Sequence, residues 1–281
     1  MINIVAALYY EAKPFIHYFQ LKKNSSVHKF QLFYNEEIRL VITGTGSIPA
    51  AVGVTWLNTL YPPSASDLLV NMGVCAASDR GLPEGTVLLC NKITEQATDR
   101  FFYPDILLKH PFDESEVITC NNMIKTAELP AAVGSGRRLY DMEAAGVYQA
   151  GAYFYQPHQM IFLKIISDYG QADKVTPGMV TGLIEKNLCS ITSWLEWVSR
   201  AREAEAPVFT EEEECHIKEL SQGLQCSVTM DYKLRQLLHY YKLTHGSTLE
   251  LVKKFTVEAG LPCTTKVKGK IYFEQLEARI L

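Results

Sequence analysis

The chain has 281 residues, 47% of them hydrophobic and 21% charged, with a formal net charge of −4. That mix can bury a core, which excludes bulk disorder, and the charge speaks against a whole-surface nucleic-acid binder. No apolar run approaches the ~18 residues needed to cross a bilayer. The seven cysteines are scattered and form no C-x-x-C pair. Neither a disulfide framework nor a zinc site of standard spacing is expected, and the reducing cytoplasm is the expected compartment.

The pattern predicts alternating strands and helices. Residues 2–8 (INIVAAL) are continuously apolar, as in a strand covered on both faces. An amphipathic helix follows over 11–20, with Pro14 in its first turns. β-rich runs lie near 28–34 and 37–43, and GTGS (44–47) breaks the chain before a helix over 49–61. Further apolar runs cover 67–74, 86–93, 116–120 and 160–167, with a small-residue helix over 141–153. This alternation predicts a three-layer α/β/α domain with a largely parallel central sheet.

A long helix fits 177–203. EAEAPVFTEEEE (203–214) then changes the composition, and the domain boundary is placed there: 1–203 as one domain, 204–281 as a small, mainly helical module. The module reads as helices near 211–223, 230–243 and 248–259, then a strand pair around Gly269 in KVKGKIYFE. Thr210 with Glu213, and Ser247 with Glu250, have capping-box spacing, and Gly260 fits a helix stop. After Glu214 the chain holds 10 basic and 6 acidic residues. A winged-helix shape on DNA is compatible with that, but a charged strand pair is more often a solvated edge, so no nucleic-acid partner is expected.

Ligands of parallel α/β sheets bind beyond the carboxyl ends of strands. At those ends stand Glu11, the GTGS turn, GVCAA (73–77), TCNNM (119–123) and Ser167-Asp168, with Glu143 opening the small-residue helix. Each has a bland reading. A carboxylate after a strand is commonly a helix cap, Glu143 is the ordinary partner of a helix dipole, and a Gly-rich turn often only supplies positive φ.

Taken in order, IVAALYYEA (4–12), TGTGSIPAA (43–51), VNMGVCAA (70–77), YDMEAAGV (140–147) and KIISD (164–168) resemble the nucleoside phosphorylase/nucleosidase superfamily. The likeness is nearest to its 5′-methylthioadenosine/S-adenosylhomocysteine nucleosidases and covers residues 1 to about 200. The resemblance implies hydrolysis of an N-glycosidic bond of an adenine nucleoside by a homodimer that needs no cofactor. It implies Asp168 as the general acid on purine N7, oriented by Ser167, and Glu11 as the carboxylate that positions the attacking water. Glu143 would accept the ribose hydroxyls, with Met142 under the sugar. Cys75 would lie against the base, Met123 where an aromatic ring stacks, and Ile124 where backbone reads the base edge. Val74 stands where the family has a small polar residue. Asn71 occupies the position at which related phosphorylases carry arginine, which favours water over phosphate. A phosphorylase, and a non-catalytic nucleoside sensor signalling through the module, are the alternatives.

The chemistry suits those roles. Breaking the bond leaves positive charge on the sugar and negative charge on the base. An acid near N7 and an anion near the sugar stabilise both. A free Asp, with pKa about 3.9, is ionised at neutral pH and needs burial or a like charge to serve as an acid.

Overall fold

The computed structural model describes residues 1–129, 138–203 and 208–280. Contacts divide the chain into two units, Met1–Ala204 and Glu205–Leu281. The boundary expected from composition falls next to residues 204–207, which lie outside the described residues.

In the first unit β1 (Ile2–Ala6) is buried along its whole length, as its unbroken apolar run requires. Helix α1 (Tyr9–Tyr18) contains Pro14, which cannot donate to the Tyr10 carbonyl. The Thr181 hydroxyl takes that carbonyl instead, at 3.1 Å. Strands β2 (Lys22–Lys23), β3 (Gln31–Tyr34) and β4 (Ile38–Ile42) form one edge, and α2 (Ser47–Leu60) follows the GTGS turn. The long β5 (Leu68–Ala77) lies at the centre. Beyond it come β6 (Val87–Glu95), β7 (Arg100–Phe102), β8 (Asp113–Thr119), β9 (Arg138–Asp141), α3 (Ala144–Gly151), β10 (Met160–Asp168) and α4 (Pro177–Glu203). Strand β10 is buried at every position.

The sheet runs β10-β6-β8-β9-β5-β1-β4-β3-β2, and β10 also pairs with β5. The path β5-β10-β6-β8-β9 therefore returns to β5 and closes part of the sheet. Helices α1 and α4 cover one face and α2 and α3 the other. The layers match the expectation, but "largely parallel" needs correction. Among the described residues five strand pairings are parallel (β1–β4, β1–β5, β5–β10, β6–β8, β8–β9) and five antiparallel. Closure explains the mixture: β6 runs antiparallel to β10, and β9 meets only the last two residues of β5, Ala76 and Ala77.

The described residues of the second unit form a cluster of four helices: α5 (Glu211–Gly223), α6 (Val228–His245), α7 (Leu249–Glu258) and α8 (Lys266–Ile280). Its core includes Leu220, Leu234, Leu238, Val252, Phe255 and Leu276. The Thr210–Glu213 capping box forms, with Glu213 N donating to Thr210 Oγ1 at 3.2 Å and Thr210 N to Glu213 Oε2 at 2.9 Å. The second expected box does not. Thr248 caps α7 and gives its N–H to Glu213, which also takes the Ser247 hydroxyl and pairs with Lys242. Burial would raise the pKa of Glu213, but Lys242 and the N–H groups of Thr248 and Thr210 outweigh it and hold it at about 2.

The expected strand pair around Gly269 is a helix. The β-branched and aromatic residues of KVKGKIYFE suggest strands. Yet Gly269, Phe273, Leu276 and Ile280 are the buried positions, and that spacing is helical. Gly269 allows the close approach of α8 to the end of α5: a Cβ there would lie 1.9 Å from the Leu224 carbonyl oxygen. Gly269→Ala is thus expected to destabilise this unit by about 2 kcal/mol through overpacking, although alanine is the better helix former. Thermal unfolding of the full chain checks this; an unchanged or raised melting temperature would contradict the packing.

Candidate functional site

A cavity of about 540 Å³ opens at the carboxyl ends of β1, β5 and β10. Glu11, Glu143 and Asp168, far apart in sequence, all line it. So do Val74, Cys75, Met123, Ile124, Met142 and Ser167, so every site residue expected from the sequence reaches this one chamber.

Glu11 projects from the first turn of α1. Its Oε2 accepts the Ala7 and Leu8 N–H groups at 3.0 and 2.9 Å, and its Oε1 accepts Val74 N–H at 2.9 Å. Gly73 makes this approach possible, since a Cβ there would lie 2.7 Å from Glu11 Oε1. Burial raises the pKa of Glu11 against the opposing effect of these N–H groups and of Lys164.

Glu143 is the residue preceding α3, its N-cap, and not a member of the first turn as its sequence position suggests. Gly46 N–H donates to its Oε1 at 2.8 Å, and the Ser47 hydroxyl donates to the Met142 carbonyl at 3.1 Å. The GTGS turn therefore secures the residues that open α3. Among the described residues only Oε1 of Glu143 is engaged, which leaves Oε2 for a ligand. Burial, reinforced by nearby Asp141, pushes its pKa up to about 7 against the pull of Lys164 and Gly46 N–H.

Asp168 ends β10 and is buried. Its Oδ1 accepts Gln171 N–H at 2.8 Å, and its Oδ2 lies 2.8 Å from Ser167 Oγ, which also lies 3.2 Å from the Cys75 carbonyl oxygen. The serine hydroxyl has one proton for two acceptors. It can donate to an ionised Asp168, or turn to Cys75 and accept from a protonated one.

The segment that carries Met123 and Ile124 is tied to the turn after Asp168, where Thr126 N–H donates to the Gly170 carbonyl at 2.9 Å. Met123 lines the cavity yet is 66% exposed, so its thioether is not locked by packing. Leu8, Tyr10, Val175, Pro177 and Val180 make another part of the wall apolar.

Sequence reading missed Asp141 and Lys164. Asp141 also lines the cavity, and its Oδ2 pairs with Lys164 Nζ at 2.7 Å. Both were visible, Asp141 within YDMEAAG and Lys164 as a lone charge inside the apolar run MIFLKIIS. No His, Cys, Asp or Glu grouping among the described residues is arranged to hold a metal ion.

Comparison with solved structures places the fold. It is similar to the 5′-methylthioadenosine/S-adenosylhomocysteine nucleosidase of Neisseria meningitidis in complex with methylthio-immucillin-A, at 15% identity and TM-score 0.53, over 66% of this chain and 97% of that one. Futalosine hydrolase of Helicobacter pylori matches at 14% identity and TM-score 0.54, over 69% and 97%. The 5′-methylthioadenosine nucleosidase of Arabidopsis thaliana in apo form matches at 18% identity and TM-score 0.57, over 70% and 95%. The chain thus has the fold of the nucleoside phosphorylase/nucleosidase superfamily. No protein-family model and no curated protein sequence matches it.

The Glu143 carboxyl carries a stability consequence. It keeps its proton to about pH 7 when folded but gives it up near 4.5 in its ordinary state, so folding takes up a proton between those values. Its contribution to stability is greatest below pH 4.5 and declines as pH rises toward 7. Glu143→Gln is expected to melt higher than the native chain at pH 8 and to lose that advantage near pH 4.5. An equal or lower melting temperature at pH 8 would show that the folded chain tolerates the anion without cost.

Proposed function

We propose that this chain hydrolyses the N-glycosidic bond of a purine nucleoside. An adenine nucleoside, such as 5′-methylthioadenosine or S-adenosylhomocysteine, fits the reading best. The observation that carries it is the convergence of Glu11, Glu143 and Asp168 on one largely apolar chamber. In this scheme Asp168 gives its proton to N7 as the C1′–N9 bond breaks and the electron pair leaves with the base. The Ser167 hydroxyl, poised between Asp168 and the Cys75 carbonyl, follows that proton on and off the carboxylate. Glu143 accepts the ribose hydroxyls through its free oxygen and offsets positive charge growing on the sugar. Water adds to C1′ and yields its proton to Glu11, whose three backbone donors hold it in place.

Val74, Cys75, Ile124 and Met123 would contact the base, and Met142 the sugar. The apolar wall of Leu8, Val175 and Val180 would lie along the 5′ substituent, the methylthio group or the thioether chain of the homocysteinyl group. No cofactor enters the scheme, and the homodimer and cytoplasmic setting implied by the sequence belong to the same reading.

Water is favoured over phosphate because no lysine, arginine or histidine lines the cavity among the described residues, while four carboxylates do. A phosphate dianion would find no cationic side chain on that wall to hold it, and the anions of Glu11 and Glu143 would oppose it. With 5′-methylthioadenosine in phosphate-free buffer, the expected products are adenine and the free sugar. Asp168→Asn is expected to lower kcat by about 10²–10⁴-fold, the usual weight of a general acid, with little change in melting temperature. A strict phosphate requirement, or full activity of that variant, would overturn the reading.

A further inference from the structure

At the cavity wall lies an ion pair that the scheme above does not use. Lys164 is 1% exposed, on the middle of β10, and its partner Asp141 at the end of β9 is equally enclosed. Burying such a pair is costly, and a neutral, well-packed substitute is often as stable. The placement of this pair suggests what the charges do.

Asp141 accepts three donors at once. Its Oδ2 takes Lys164 Nζ at 2.7 Å and Ala144 N–H at 2.8 Å, and its Oδ1 takes the Thr119 hydroxyl at 2.7 Å. Thr119 Oγ1 in turn accepts Ala145 N–H at 3.0 Å. The first two N–H groups of α3 are thus held by Asp141 and Thr119, and the residue directly before them is Glu143. The charged groups around Glu143 come from three elements: Asp141 on β9, Lys164 on β10 and Glu11 on α1. The thiols of Cys75 on β5 and Cys90 on β6 also face Lys164. Lys164 is the one cation in this set.

We propose that Lys164 and Asp141 are positioning residues that clamp the start of α3 and hold Glu143 at the cavity wall. The proposal rests on the nucleosidase reading for its role in turnover, but the clamp itself can be tested without turnover. Four carboxylates, those of Glu11, Asp141, Glu143 and Asp168, share the buried chamber, which favours retaining a proton on one of them. The Lys164 ammonium opposes that, and Asp141 anchors the ammonium while adding its own negative charge.

The two partners therefore act on Glu143 in opposite directions. Removing the cation should make Glu143 harder to ionise. Removing the Asp141 charge should make it easier, because a repelling anion goes and Lys164 is freed toward Glu143.

The experiment is a carboxyl ¹³C titration of Glu143 in the full chain labelled at glutamate, with the signal assigned by its loss in Glu143→Gln. The Lys164→Met midpoint should rise, and the Asp141→Asn midpoint fall, each by about one pH unit or more, as expected for a close charge. The double variant should lie between them. It carries no unpaired buried charge, so with Asp141→Asn it keeps the test decisive if Lys164→Met fails to fold.

The pH profile of kcat/KM with 5′-methylthioadenosine is the second readout. Lys164→Met should lose about tenfold at pH 6.5, the equivalent of one pH unit, and recover most of it by pH 8.5. Midpoints that stay at the native value, or that move the same way in both single variants, would overturn the proposal. Absence of turnover by the native chain, with opposite midpoint shifts intact, would sink the nucleosidase reading and leave the clamp standing.

Discussion

The cavity depends on holding four carboxylates, those of Glu11, Asp141, Glu143 and Asp168, around one small apolar space. Left alone they would repel one another and draw in water. Each is instead met by a fixed donor: three backbone N–H groups at Glu11, Gly46 N–H at Glu143, Gln171 N–H at Asp168, and the Lys164 ammonium at Asp141. Most of these donors are main chain, so the charges are balanced by dipoles that strands and turns place once the sheet has formed. The β5 and β10 pairing sets Cys75 and Ala76 beside the Ser167-Asp168 pair, and the arrangement at the site follows from that register.

That organisation gives each buried carboxylate a fixed partner in a chamber with an apolar wall. A dry wall raises the value of each preorganised donor, because solvent does not compete with it. It also explains why ionising the site is costly for the folded chain. Burial raises the pKa of Glu143 and of Glu11 above their ordinary values.

Much of this was legible in the sequence where a local pattern carries it. The unbroken apolar runs of β1 and β10 mark strands covered on both faces, and Glu11, Glu143 and Asp168 stand out because they follow such runs or open a helix. What depends on distant pairing was not legible. Closure of the sheet through β9 is set by two residue pairs at the end of β5, too short for any periodicity. The role of the GTGS turn depends on Glu143, which lies 97 residues from Gly46. Lys164 reads as an interruption of an apolar run until its partner is seen. Helix α8 was misread because composition and spacing disagree there. Valine, isoleucine and tyrosine suggest strands, whereas burial every third or fourth residue records the helix, and packing against the core prevails over weak propensity.

The most direct test of the account is a crystal structure of the chain with an unreactive adenine nucleoside analogue. The account predicts the ring in the 540 Å³ cavity, with Asp168 within hydrogen-bond distance of the N7 position, and Glu143 Oε2 on the ribose hydroxyls. A nucleoside bound elsewhere, or one seated in the cavity with its base turned away from Asp168, would contradict it.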